Sequence, residues 1–195
     1  MFRSFTDEDA AAWRDALPFR HLVIDDFVAP EHLAELTEQL EEEPIDRYEA
    51  DLFVFEASAP EPRSPELRAI RDDFTAALAA PLSRIIGQTV TRADMRAFAY
   101  RPGHYLLPHT DHRDALERVV AYAYYLPSPE PPVGGELELF RCSEESGELV
   151  AIESACLVEP RANRLVVFEV SAVSLHQVCE VLSGLRMSLA GWFYR

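Results

Sequence analysis

From about residue 93 onward the chain is a succession of short runs rich in β-branched and aromatic residues, and nothing else in it narrows the fold as far. The runs fall at 95–100, 118–126, 136–140, 149–158, 164–168, 173–178 and 186–194. Turn-forming pairs stand between them, among them Pro102-Gly103, Gly134-Gly135, Ser146-Gly147 and Ser183-Gly184, together with the stretches 127–129 and 160–163. Strands this short and regular bury their apolar faces by curling over one another, which predicts a barrel or jelly roll.

The part before residue 93 reads mainly as helix. A short helix is predicted over 6–16, with Thr6 as cap and acidic residues in its first turn. Leu22-Val23-Ile24 reads as a buried strand, and a helix opens at Pro30 with Leu33, Leu36 and Leu40 on one face. Glu41-Glu42-Glu43 is expected to be its solvated end. After a strand at Leu52-Phe53-Val54-Phe55, a longer helix is predicted from Ser64 towards Ile86, with Leu67, Ile70, Phe74 and Leu78 facing the core. Pro81 is expected to kink or end it. The expectation is one α+β domain over 1–195, mainly β, in which 1–92 is a helical support and 93–195 the β core.

With 195 residues, 48% of them hydrophobic and 27% charged, the chain can bury a sizeable core. A net charge of -16 disfavours phosphate backbones, so no nucleic acid is expected as a partner, and the acidity points instead to basic proteins. All 18 basic residues are arginine, which rules out Schiff-base chemistry on a lysine. Cys142, Cys156 and Cys179 are odd in number and lack CxxC spacing, so reduced thiols are expected. With neither a leader pattern at the start nor an apolar run long enough to span a bilayer, the expected location is the cytoplasm, away from membranes.

The chemistry centres on His109-Thr110-Asp111. Two residues apart on extended backbone, the imidazole and the carboxylate face the same side and can grip one metal ion. By itself His-x-Asp is a common tripeptide. His176, far along the chain, would complete a set of two histidines and one carboxylate, which leaves positions open on Fe(II). In the last strand, alternation puts Arg186, Ser188, Ala190 and Trp192 on one face. An inward arginine needs an anionic partner, and a carboxylate matches its fork.

Several pieces together carry a resemblance: Tyr100-x-Pro102-Gly103 ahead of His109-x-Asp111, the strand Ala123-Tyr124-Tyr125-Leu126, the run 134–140, His176, and Arg186 ahead of Gly191-Trp192-Phe193. The chain resembles the 2-oxoglutarate- and iron(II)-dependent dioxygenases, and within them the prolyl-hydroxylase branch. Where collagen-type members carry Lys it has Arg186, which brings it nearer the oxygen-sensor and ribosomal-protein types. The resemblance implies a double-stranded β-helix with Fe(II) held by His109, Asp111 and His176. It implies 2-oxoglutarate as co-substrate, its distal carboxylate on Arg186 with the hydroxyl of Tyr125 or Ser188, and Tyr100, Leu137 and Trp192 in the same pocket. O2 would be the oxidant, with ascorbate as a further candidate cofactor. The implied reaction hydroxylates a prolyl residue in a protein or peptide while 2-oxoglutarate becomes succinate and CO2.

Two alternatives stay open: hydroxylation of a free amino acid or other small metabolite, and a non-catalytic cupin-like binding or sensor module. Tyr124 and Tyr125 must face opposite ways, and Tyr125 is the one assigned to the pocket. The stretch 101–108 is expected to be a loop at the mouth. His112 is placed at the solvent or the mouth, and Arg113 and Arg118 are expected in solvated ion pairs.

Overall fold

The computed structural model describes residues 2–40 and 42–195, so Glu41 lies outside the described residues. Among these, three α-helices are found: α1 (Asp7–Asp15), α2 (Pro30–Gln39) and α3 (Pro65–Ile86). The strands are β1 (His21–Ile24), β2 (Ile45–Ala50), β3 (Phe53–Ser58), β4 (Arg92–Ala93), β5 (Arg96–Tyr100), β6 (Tyr105–His109) and β7 (Arg118–Tyr125). They continue with β8 (Val133–Gly134), β9 (Leu137–Glu145), β10 (Glu148–Val158), β11 (Leu165–Glu169), β12 (His176–Val178), β13 (Val181–Ser183) and β14 (Arg186–Tyr194).

The helices start where their caps put them. Thr6 Oγ accepts the Asp9 N–H at 3.2 Å while the Asp9 carboxylate accepts the Thr6 N–H at 2.7 Å, a reciprocal cap on α1. Ser64 caps α3 through the Leu67 N–H, and Gly87 ends it in the left-handed conformation at φ 71°. Pro81 lies within α3 and does not end it. Leu78 and Leu82 on either side are both buried, and their packing offsets a proline cost of about 3 kcal/mol.

The expected solvated end of α2 is corrected at Glu43. Its side chain is buried, and its two oxygens accept the backbone N–H groups of Arg63 (3.0 Å) and Ser64 (2.7 Å), just ahead of α3. Burial would raise the carboxyl, but these hydrogen bonds and the Arg63 charge hold it below the usual carboxylate range. Glu42 is exposed, as expected.

Twelve strands form one antiparallel sheet whose main path runs β1-β11-β7-β14-β5-β3-β6-β12-β9-β10, with β2 joined to β3 and β4 to β14. The sheet curls into a jelly roll, the double-stranded β-helix. Side chains from β7, β9, β10 and β11, distant along that path, meet in one interior cluster with Phe19. The region before residue 93 supplies strands as well as helices: β1 pairs with β11, and β3 pairs with both β5 and β6. In β1, Leu22 and Ile24 are buried while Val23 points to solvent. The expected loop 101–108 is likewise corrected, because Tyr105–His109 is β6, bonded to β3 and β12.

A larger core fills the space between the helices and the outer face of the sheet. Phe74 of α3 packs on Tyr122 (ring centroids 4.8 Å apart) and Phe193 (5.6 Å), with Leu67, Ile70, Leu78 and Leu82 around them. Tyr124 faces this core, and its hydroxyl donates to Asn163 Oδ1 at 2.9 Å.

Candidate active site

Antiparallel pairing of β6 with β12 sets His109 directly opposite His176, so residues remote in sequence meet because their strands are in register. Asp111 stands two residues beyond His109 and reaches both imidazoles. Its Oδ1 lies 3.7 Å from His109 Nε2 and its Oδ2 3.5 Å from His176 Nε2. One ligating atom from each of the three residues falls within 4.8 Å of the others.

Both rings are oriented from behind. His109 Nδ1 lies 2.9 Å from the Leu107 carbonyl and His176 Nδ1 3.0 Å from that of Ser174. A carbonyl only accepts, so each Nδ1 carries the proton and each Nε2 offers its lone pair to the centre. His176 is fully buried and packs edge-on against Phe168, with ring centroids 4.6 Å apart. Burial, opposed by Asp111 and reinforced by His109, pushes its pKa down to about 4. At neutral pH it is therefore the uncharged imidazole that metal binding requires.

The three residues open onto a cavity of about 310 Å3. Arg186 forms part of its wall, 3% exposed, and no carboxylate among the described residues pairs with it. Its guanidinium lies over the rings of Tyr100 (4.7 Å) and Tyr125 (5.0 Å), and Nη1 donates weakly to Ser188 Oγ at 3.4 Å. Arg186 Nε and the Tyr125 hydroxyl are buried without hydrogen-bond partners. A buried cation and an orphaned hydroxyl together suit a carboxylate-bearing ligand. Gly135 makes room for this arginine: at φ +73° it has no side chain, and a Cβ would sit 3.0 Å from Arg186 Cδ.

The remaining residues singled out from sequence also stand at the cavity or beside it. Tyr100, Leu137, Ser188 and Trp192 line it, whereas Tyr125 lies behind Arg186 in the interior cluster. Burial raises the Tyr100 hydroxyl to about 12, so it stays a neutral phenol. Arg118 lies flat on the Trp192 ring, its Cζ 3.5 Å from the centroid, and both it and Arg113 border the cavity. His112 is exposed. Sequence reasoning missed an aromatic wall, Phe53 and Phe55 from β3 with Phe98 from β5. Its one signal was the two-residue spacing of the phenylalanines, which marks a shared face without saying what that face looks onto.

A jelly roll with two histidines and a carboxylate at one end of its cavity defines a class, and comparison with known proteins agrees: residues 95–194 match the 2OG-Fe(II) oxygenase superfamily. The chain belongs to that superfamily, whose cofactors are Fe(II), 2-oxoglutarate and O2. Over 186 residues it is 33% identical to prolyl 3-hydroxylase OGFOD1 of Mus musculus, covering 92% of this chain and 33% of that protein. The Xenopus laevis protein of the same name is 32% identical, again over 92% of this chain and over 36% of its own length. The chain thus spans about a third of the curated relatives it matches. In fold it is similar to a Pseudomonas putida prolyl-4-hydroxylase (TM-score 0.70, 22% identity, 96% of this chain and 98% of that one). It is also similar to a Trichoplax adhaerens prolyl hydroxylase in complex with a hypoxia inducible factor peptide fragment (TM-score 0.69, 15% identity, 96% and 91%). The residues present fit the cofactors: the donor set suits Fe(II), and the orphaned groups around Arg186 suit a dianion.

Proposed function

We propose that the protein is an Fe(II)/2-oxoglutarate-dependent dioxygenase that hydroxylates a prolyl residue in a protein or peptide, with His109, Asp111 and His176 as the metal ligands. The observation that carries this reading is the convergence of those three ligating atoms within 4.8 Å at a cavity whose wall also holds the unpaired Arg186. Relatives named prolyl 3-hydroxylase, matched over 92% of this chain, support the prolyl part.

Bound iron and 2-oxoglutarate supply the oxidising power for hydroxylation of a C–H bond, the co-substrate leaving as succinate and CO2. The chain's own side chains bind and orient. The carbonyls of Leu107 and Ser174 hold both imidazoles with Nε2 forward. Arg186 receives the distal carboxylate of 2-oxoglutarate in a charge-assisted pair, with the Tyr125 and Ser188 hydroxyls beside it. Tyr100 and Leu137 wall that end, while Trp192 and Phe168 keep the cavity largely apolar and exclude water. Phe53 and Phe55, stacked on each other with ring centroids 5.0 Å apart, add an apolar wall for the substrate ring.

We assign the chain to one domain, since strands from both halves share the sheet. We place it in the cytoplasm, which suits three free cysteines. The test is succinate formation with Fe(II), 2-oxoglutarate and proline-containing peptides, with mass spectrometry for a gain of one oxygen. Turnover stimulated by a prolyl peptide and not by its alanine counterpart supports the reading. Stimulation by free amino acids alone would move the substrate to small metabolites, and ligand binding without succinate would make the protein a binding module.

A further inference from the structure

The cavity is an island of positive charge in an acidic chain. Its lining carries Arg96, Arg113, Arg118 and Arg186 against one carboxylate, Asp111, although the chain's net charge is -16. Two of the four cations have evident work. Arg186 is assigned above to the co-substrate. Arg96 donates through Nε to the Ser58 carbonyl at 2.8 Å and lies between the rings of Tyr48 and Phe98. Bound iron is balanced by Asp111 and the 2-oxoglutarate dianion. Arg113 and Arg118 are left over.

Neither pairs with a carboxylate whose side chain is described, a set that leaves out Asp114. Arg113 Nη1 donates to the backbone carbonyls of His112 (2.7 Å) and Thr110 (3.4 Å), which hold its guanidinium beside the metal-binding segment. Arg118 is stacked on Trp192, with the Tyr194 hydroxyl nearby, and its Nη1 reaches the Asp111 carbonyl at a long 3.4 Å. Arg118 Nε and Trp192 Nε1 are both buried without an acceptor. Two orphaned donors on stacked side chains, with a second arginine lining the same cavity, leave a place where an acceptor with negative charge is missing. Stacking on the indole fixes the guanidinium plane before any ligand arrives, so little side-chain freedom is lost on binding.

We propose that Arg113, Arg118 and the Trp192 N–H form a carboxylate subsite at the mouth, and that the substrate carries a carboxylate beside the carbon that is oxidised. In a peptide this is an acidic residue flanking the proline; in a free amino acid it is the α-carboxylate. The subsite rests on the oxygenase reading above and makes its substrate class more definite. It also reverses the preference for basic partners suggested by net charge, because the charge that a substrate meets is that of the cavity rather than of the surface as a whole.

Binding is measured on protein loaded with Zn(II), which is redox-inert, and 2-oxoglutarate. Four capped peptides combine Pro or Ala at the centre with Glu or Gln on its flanks, and L-proline is compared with L-prolinamide. The expected result is that the carboxylate member of at least one set binds about tenfold more tightly. That preference should fall to about twofold or less in Arg113→Gln and in Arg118→Gln, with 2-oxoglutarate affinity as the control for folding. Arg113 is exposed, so its variant is expected to fold even if that of Arg118 does not. A preference in the peptides assigns the subsite to an acidic flank, and one confined to proline assigns it to the α-carboxylate. Equal binding of the charged and neutral members, no binding by either, or a preference that survives both substitutions overturns the subsite. Loss of the Pro-over-Ala difference with the Glu preference intact overturns the prolyl reading and leaves the subsite standing.

Discussion

The two faces of β7 and β14 are built to different ends. Outward, Tyr122 and Tyr124 of β7 and Leu189 and Phe193 of β14 join the core under α3, where large side chains leave little space. Inward, Ala121 and Ala123 of β7 and Ser188 and Ala190 of β14 line the cavity, where small side chains preserve space for a ligand. The same strands thus serve stability with one set of alternate residues and binding with the other. Substitutions on the two faces should therefore separate activity from stability.

The largest effect is expected on the inward side. His176→Ala removes a ligand, and since loss of an outer partner of a metal ligand costs about 10- to 100-fold, loss of the ligand itself should exceed 100-fold in succinate formation. Thermal unfolding of the metal-free protein should barely move, and a large drop would break the separation of the two faces. Next comes Phe74→Ala on the outward side, expected to cost about 3–5 kcal/mol in denaturant unfolding. The protein that remains folded should keep its KM for 2-oxoglutarate.

Arg186→Gln should raise that KM by roughly 100-fold through loss of a charge-assisted pair. It should leave metal affinity alone and, by removing a buried unpaired charge, leave stability unchanged or slightly higher. A destabilised variant would show that the arginine holds the fold rather than the ligand. The smallest effect falls on neither face. Glu43→Gln weakens two capping contacts ahead of α3, at a cost of about 1 kcal/mol. Because the folded carboxyl sits below its unfolded value, that contribution is complete above about pH 4.3 and is lost as the pH falls through the lower folded value. Urea midpoints of the two proteins should therefore converge on acidification.

The strands that alternate in burial were legible from their residues, and so were the two ligands that share one strand end. His109 and Asp111 are local partners, and the spacing of two settles their common face. β2 was not legible, because its residues are nearly all exposed and show no apolar face; its pairing with β3 is all that identifies it. β6 was obscured by Pro108, which removes a backbone donor and reads as loop. That proline lies where the pairing with β12 shifts register between Leu106 and His109, an irregularity of the kind that accommodates proline within a sheet. Glu43 was misread because a run of acids looks like solvated surface until its neighbours in space are known, and its partners at 63 and 64 lie beyond an intervening hairpin.

The facing of His109 and His176 across β6 and β12 bears on which sequence changes the chain can accept. Side-chain direction reverses with every residue along a strand, so inserting or deleting one residue between His176 and Val178, which keep regular register with β9, would turn the histidine away from the cavity while altering almost no composition. Loops such as the one between β7 and β8 can change length at little cost, since their ends are fixed by the sheet. Chain length around the metal ligands is thus held to the single residue, and a deletion there should be more damaging than most substitutions of the residues it displaces.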